Sequence, residues 1–344
     1  MRFEHVRLEA FGYALPEQAV SSSALEDRIA PLYERLNLSI GRLELMSGIR
    51  ERRFWPEGTR PSTVAARAGA DALEKSGIAP ERVGCLIHAA VCRDFLEPAT
   101  ASVVHSALGL SPTCQAFDLS NACLGFANAM MVIGGMLERG DIEVGLVVAG
   151  EDGRPLVDET LRMLAEDTSV GKLEVKRAYA SLTIGSGAAA LVMTRADVAT
   201  SSRRLLGGTS LAATDHHALC AGDRTESGGL LMETDSEALL IAGNALAART
   251  FEAFLGEHEW TRDDVQRVIT HQVGAAHRRL LFETLELETA RDFPTYSTLG
   301  NIGSVSLPIT FALAEEAGFL QTGDQIAMLG IGSGLHCSML AIEG

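Results

Sequence analysis

The chain predicts an α/β protein of two similar halves, each a mostly parallel sheet covered by helices. Three echoes carry this prediction. Ile184-Gly185-Ser186-Gly187 running into AAALVM returns as Ile331-Gly332-Ser333-Gly334 running into LHCSMLAI. The helix, Gly-Asp, strand unit at Gly140-Asp141 returns at Gly323-Asp324. ERVGCLIHAAV around His88 returns loosely as DDVQRVITHQV around His271. The echoes keep the same order, as a duplicated unit would. Packed by their central helices, such halves bury helix 124–137 against helix 307–320 and bring the preceding loops together. A polar Ser, Thr and Arg stretch at 196–204 marks the seam, dividing residues 1–198 from residues 199–344.

The elements follow in order. Residues 3–13 read as a strand that Pro16 ends. Ser21 to Ser23 with Glu26 form a helix start with an acidic first turn. MSGIRERRF, residues 46–54, is a turn and a basic run, either a solvated face or a phosphate contact through Arg50, Arg52 and Arg53. Residues 63–76 are a small-residue helix that Gly77 terminates. Residues 83–91 form a continuous apolar strand, the kind buried on both faces. In RDFLEPATAS, Pro98 fixes a bend before helix 100–108. Glu97 is either an ordinary acid at a helix start or, beside Phe95, Leu96 and Pro98, a partly desolvated carboxylate whose raised pKa suits a general base. Ala116, Phe117 and Leu119 close another buried strand. Strand 144–148 follows the Cys123 helix. Residues 154–180 are charged and irregular, an insertion of different character from its surroundings. Strand 182–194 closes the first half.

In the second half, residues 205–219 suggest a strand pair and 239–255 a helix. Strand 265–270 ends at His271-Gln272, and helix 275–285 follows. A Gly-rich loop spans 296–306, helix 307–320 accepts Pro308 near its start, and strands 325–330 and 337–342 flank Gly332-Ser333-Gly334.

Composition bounds the function. The 344 residues are 47% hydrophobic and 22% charged, as in a globular protein. A net charge of −16 argues against nucleic acid or an anionic membrane surface as partner. Six cysteines form no CxxC pair and no metal spacing, which suits free thiols in a reducing cytoplasm. His216-His217 lack further ligands, so no metal is expected. No run of 18 uninterrupted apolar residues and no signal-peptide pattern occurs, so no membrane span is expected. GIGSG is not a dinucleotide fingerprint.

Chemistry concentrates at Cys123. Asn121-Ala122-Cys123 is a tight bend before a helix apolar nearly all round. A cysteine at the first turn of a buried helix meets unpaired N–H groups and the helix dipole, which favour a thiolate. A lone cysteine in an apolar helix is also ordinary core. The pseudo-twofold, however, sets Cys123 beside His271 and Asn301, which also precede or open helices. Thiol, imidazole and carboxamide together suit acyl transfer. The sulfur attacks a thioester, and His and Asn N–H groups hold the oxyanion. Backbone N–H groups at Gly332, Ser333 and Gly334 could hold a second oxyanion.

The chain resembles a known family at these residues. NACLGF at Cys123, THQV at His271, LGNIGS at Asn301 and GIGSGL at Gly330 are similar to the active-site motifs of the thiolase-like superfamily, in its β-ketoacyl-ACP synthase III branch. MSGIRERR resembles the TGIRxRR signature of that branch. The initiating synthases carry HQAN where this chain has HQVG. Within the branch, RDFLEPATAS, DLSNACLGF, GNIGSVSLP and GIGSGLHCSM are most similar to the OleA family, the acyl-CoA head-to-head condensing enzymes of bacterial olefin biosynthesis.

The resemblance implies a five-layered αβαβα fold, a homodimer, no cofactor and acyl-CoA substrates. It also implies neighbouring enzymes of a lipid or olefin pathway. Catalysis would pass through an acyl-Cys123, with His271 and Asn301 as oxyanion partners and Glu97 reaching across the dimer as base. The expected reaction is non-decarboxylative Claisen condensation of two fatty acyl-CoAs to a β-keto acid. Decarboxylative condensation with a malonyl donor is the first alternative, and a non-catalytic scaffold the second. An unactivated acyl-CoA must lose an α-proton, whereas a malonyl donor makes its carbanion by losing CO₂. A carboxylate at position 97 therefore favours the first reading.

Overall fold

A computed structural model describes residues 1–224 and 229–344 of the chain. Its main sheet has nine strands in the order Arg267–Thr270, Gln325–Gly332, His336–Glu343, Arg204–Ala212, Val6–Ala14, Gly187–Arg195, Val144–Glu151, Cys85–His88 and Gln115–Asp118. The first four and the last five meet through one registered pair, Arg7 with Arg204. From that junction outward the two sides repeat. Val6–Ala14 lies antiparallel to Gly187–Arg195, that to Val144–Glu151, and that parallel to Cys85–His88. Arg204–Ala212, His336–Glu343, Gln325–Gly332 and Arg267–Thr270 follow the same pattern. A fifth strand exists on the second side only as a parallel bridge of Val268 with Asp292. The duplication holds, but each half is mixed rather than mostly parallel. The strand after each Ile-Gly-Ser-Gly returns beside its predecessor, and that return is antiparallel.

Helices complete five layers. Helix Pro61–Ser76 and helix Thr100–Leu108 cover the outer face of the first half. Helices Gly125–Arg139 and Ser306–Glu316 lie between the halves and contact strands of both. Helix Ser236–His258 covers the outer face of the second half, with Ala275–Leu285 against it. The central helices are apolar all round because both sides are covered, and Phe126, Met130, Ile133, Leu307, Ile309 and Phe311 are buried between the sheets. Helix Ser236–His258 is long and apolar enough to cross a bilayer by length and composition. Here it buries Leu246, Phe251 and Phe254 against the sheet.

Two local expectations are corrected. Residues 154–180 are not irregular but two helices, Arg154–Glu166 and Lys172–Leu182. They bury Val157, Leu161, Leu164, Val175, Tyr179 and Leu182 under the N-terminal helices. The strand at Phe117 is the sheet edge, and Phe117 is 37% exposed.

His88, at the end of Cys85–His88, is fully buried with neither ring nitrogen hydrogen-bonded. Asp118 lies 3.7 Å away. Burial outweighs that carboxylate and pushes the imidazole down to about 4. The folded state therefore holds His88 neutral, while the unfolded chain takes up its proton below about pH 6.5. Its contribution is complete above that pH and is lost as pH falls toward 4. Between pH 6.5 and 4.5, urea unfolding of a His88→Gln protein is expected to lose less stability than the native chain. The difference is about 2 kcal/mol over that range. Equal slopes for the two proteins would remove His88 from the account.

Candidate active site

Cys123 sits at a strand-to-helix bend. Ala122 holds φ +45°, a left-handed conformation that non-glycine residues rarely adopt. Leu124 N–H closes the bend on the Asn121 carbonyl at 2.9 Å, and Asn121 Nδ2 donates to Asn128 Oδ1 at 2.7 Å. The next residues explain the glycines opposite. A Cβ on Gly330 would meet a Leu124 methyl at 2.5 Å, and one on Gly332 would meet Leu124 Cγ at 3.0 Å. Only bare backbone lets the strand Gln325–Gly332 lie against the residue after the cysteine.

His271 leaves the end of Arg267–Thr270, its N–H on the Leu329 carbonyl. The buried Gln272 side chain clamps the loop. It donates to Thr270 and accepts from the N–H groups of Thr295 at 3.1 Å and Tyr296 at 3.3 Å. Asn301 belongs to the second half but is tied to the first. Its N–H donates to the Thr183 carbonyl, and its carbonyl accepts from Gly185 N–H, both at 2.9 Å. Gly300 has φ +69°, and a Cβ there would stand 2.5 Å from the Thr183 carbonyl. Asn301 Oδ1 accepts from Gly303 N–H at 3.0 Å, leaving the amide NH₂ to donate elsewhere.

Cys123, His271 and Asn301 line one cavity of about 740 Å³, as do Gly332 and Ser333. Gly334, in a turn with φ +104°, is not on that wall. Glu97 is not on the cavity wall of this single chain. It stands exposed on a loop with Leu96, which is 96% exposed, so the expected desolvation is not met within one chain. The basic run is also off the wall. Arg52 is buried, donating to Ser22 Oγ at 3.0 Å and the Val20 carbonyl. Its guanidinium is lowered to about 10 by burial, against the raising field of Glu26. Arg53 donates to the Pro16 carbonyl, and Arg50 is exposed. Alternation along the strand Glu51–Phe54 turns Arg52 and Phe54 inward.

The thiol is not the thiolate expected of a helix start. Burial above all, with Glu151 and Cys220 adding, pushes Cys123 up to about 12. The helix begins only at Gly125, so its N-terminal field does not overcome this desolvation. Burial, with His277 adding, pushes His271 down to about 4. The resting groups on this wall at neutral pH are a thiol and a neutral imidazole, the form of histidine that can accept a proton.

Glu151 is a site residue not singled out in advance. It ends the apolar strand Val144–Glu151, is buried, and lines the cavity. Its carboxylate accepts from Val91 and Cys92 N–H at 3.0 and 3.1 Å, and from Ser304 N–H and Oγ at 3.3 and 2.6 Å. One carboxylate thus joins the start of the Glu97 loop to the loop after Asn301. The acid directly after VVAG was its only sequence signal. Glu151→Ala would leave these donors unpaired, and is expected to cost on the order of 3 kcal/mol in urea unfolding. A protein of native stability would contradict this bridging role. Among the described residues, no group of three His, Cys, Asp or Glu side chains is placed to hold a metal.

Residues 117–208 match the family described as 3-oxoacyl-[acyl-carrier-protein] synthase III, and residues 255–343 match its C-terminal counterpart. The chain is 41% identical to the acyl-CoA:acyl-CoA alkyltransferase of Shewanella oneidensis, with all of both chains covered. It is 37% identical to the enzyme of that name from Xanthomonas campestris pv. campestris, with 99% of each covered. The crystal structure of cerulenin-bound Xanthomonas campestris OleA matches with a TM-score of 0.96 at 36% identity, covering 100% of this chain and 98% of that one. The same OleA has been solved with a cysteine, a histidine or a glutamate replaced.

Proposed function

The chain belongs to the acyl-CoA:acyl-CoA alkyltransferases of the 3-oxoacyl-[acyl-carrier-protein] synthase III family, and from that premise we propose how it joins two fatty acyl-CoAs head to head. The observation that carries the proposal is the meeting of Cys123, His271 and Asn301 on one largely apolar cavity. Cys123 Sγ attacks the thioester carbonyl of the first acyl-CoA while His271 takes the thiol proton. The oxyanion draws N–H donors from Asn301 and from the backbone at Gly332 and Ser333. CoA leaves as the thiol, taking that proton, and an acyl-Cys123 remains.

The second acyl-CoA must then lose an α-proton. We assign this to the partner subunit's Glu97, in a homodimer. Two observations support the assignment. The loop that carries Glu97 projects with its apolar side chains uncovered, as a segment that enters another subunit would. In the OleA variants, the replaced glutamate and cysteine stand 26 positions apart, the separation of Glu97 and Cys123 here. Glu151 fits the role of base less well. Its carboxylate already accepts four hydrogen bonds, three at Oε1 and one at Oε2, and taking a proton would weaken the bonds that hold two loops together. The enolate attacks the acyl-Cys123 carbonyl, Cys123 departs, and hydrolysis of the β-ketoacyl thioester gives a β-keto acid. Two acyl-CoAs and one water thus give one β-keto acid and two CoA. No cofactor takes part, the halves divide at 198/199, and the free thiols suit a cytoplasmic enzyme that hands its product to further lipid-pathway enzymes. Of the basic run, exposed Arg50 remains for a CoA phosphate.

The test is mass spectrometry of the protein with myristoyl-CoA alone, following Cys123 and released CoA. An acyl adduct and a β-keto acid, or the ketone it decarboxylates to, are expected without malonyl donor. Turnover that waits for a malonyl thioester would establish the decarboxylative reaction instead. Failure to form an adduct with any acyl-CoA or carrier-bound acyl group would leave the scaffold role.

A further inference from the structure

Helix Ser236–His258 carries Gly243 in its interior, where glycine weakens a helix relative to alanine. Its backbone does not demand glycine, since φ there is not positive. Packing does not demand it either. A Cβ on Gly243 would meet Ile331 Cγ2 at 3.5 Å and Leu335 Cδ1 at 3.8 Å, which is ordinary contact. By contrast, a Cβ on Gly134 of the central helix would stand 2.7 Å from the Phe3 ring. What distinguishes Gly243 is its place on the cavity wall, with Leu239 and Leu240 before it, Leu281 from the next helix and Ile331 opposite. Ile331 precedes Gly332, which lies against Leu124 beside the nucleophile. Apart from Asn244, whose amide donates to Thr284 Oγ1, the wall at Gly243 is apolar and continuous with the site, and lacks only a side chain.

We propose that Gly243 is a specificity-determining residue, whose missing side chain leaves the space that admits the end of a long alkyl chain. The inference rests on the proposed acyl-CoA reaction. A leucine at this position fills that space with carbons that the substrate would otherwise occupy. Each methylene kept out of the apolar wall costs roughly fourfold in affinity.

The experiment compares the native protein with Gly243→Ala and Gly243→Leu variants on decanoyl-, myristoyl- and palmitoyl-CoA, reading CoA release and adduct mass. Displacement of a fluorescent fatty acid by decanoate and palmitate gives a readout independent of turnover. The Leu variant is expected to lose activity and affinity progressively with chain length. Its discrimination against palmitoyl relative to decanoyl groups is on the order of 10²-fold, and its melting temperature is no lower than that of the native protein. A loss equal at all lengths, or no loss at any, would overturn the inference. A native protein that releases no CoA from any acyl-CoA would instead overturn the reaction, while the displacement series still reports on Gly243.

Discussion

Cys123→Ala protein mixed with myristoyl-CoA is expected to release CoA no faster than buffer does, and to gain no acyl mass. The loss is on the order of 10⁴-fold or more, because the covalent step has no substitute. Two other thiols, Cys92 and Cys220, line the same cavity. Burial holds Cys92 well above the ordinary thiol range, with Glu151 adding, and its sulfur is bonded to the Asp152 backbone. Acyl mass retained by the alanine variant and mapped to either of these thiols would displace Cys123 as the nucleophile.

The same pair sets the pH dependence of acylation. The thiol at about 12 and the imidazole at about 4 are both neutral across the ordinary range. Attack moves the proton from sulfur to nitrogen, so acylation requires the neutral pair and not a pre-formed thiolate. Its rate in the native protein is expected to be level from about pH 6 to 9. It should fall below that range as His271 gains the proton that disables it as a base. A rate that climbs steadily from pH 6 to 9 would mean that thiolate formation, not His271, limits the step.

Much of this site was legible because its residues sit where backbone geometry leaves few choices. Glycines after residues 76, 108 and 139 close helices in left-handed turns, and all three adopt positive φ. The echo of Ile-Gly-Ser-Gly marked both returning strands, since each needs bare backbone beside a central helix. Long-range packing was less legible. The charges of 154–180 dilute an apolar stripe that is plain once Val157, Leu161 and Leu164 share a buried face. Arg52 looked like part of a surface run, because the Ser22 and Glu26 that receive it lie far back in the sequence. Nothing local distinguished Glu151 from an acid opening the next helix. Its meaning comes from donors at Val91, Cys92 and Ser304, on both sides of the pseudo-twofold. Glu97 is the converse case. Its apolar neighbours suggested burial, yet one chain covers Phe95 only in part, with Arg60 over its ring, and leaves Leu96 exposed.

That exposure leads to the second large effect. Glu97→Ala protein is expected to form the acyl-Cys123 and release one equivalent of CoA per subunit in a burst. Condensation should then fall by about 10²–10⁴-fold, the usual cost of a lost general base. Glu97→Asp keeps the carboxylate and should fall between the two. Full condensation in the alanine variant would move the base elsewhere, with Glu151, Asp152 and Asp223 the acids on the cavity wall of the described chain. Whether Glu97 serves its own subunit or its partner can be read from two inactive proteins. Cys123→Ala and Glu97→Ala chains, mixed and allowed to exchange subunits, form mixed dimers. If Glu97 acts across the interface, the site holding Cys123 in each mixed dimer receives an intact Glu97 from its neighbour. About a quarter of native activity should then return, since half of the dimers are mixed and each has one complete site. If Glu97 acts within its own chain, every site lacks one group and no activity returns. Recovery would therefore assign the exposed Leu96 and Glu97 loop to a subunit interface, and its absence after proven exchange would return Glu97 to its own chain.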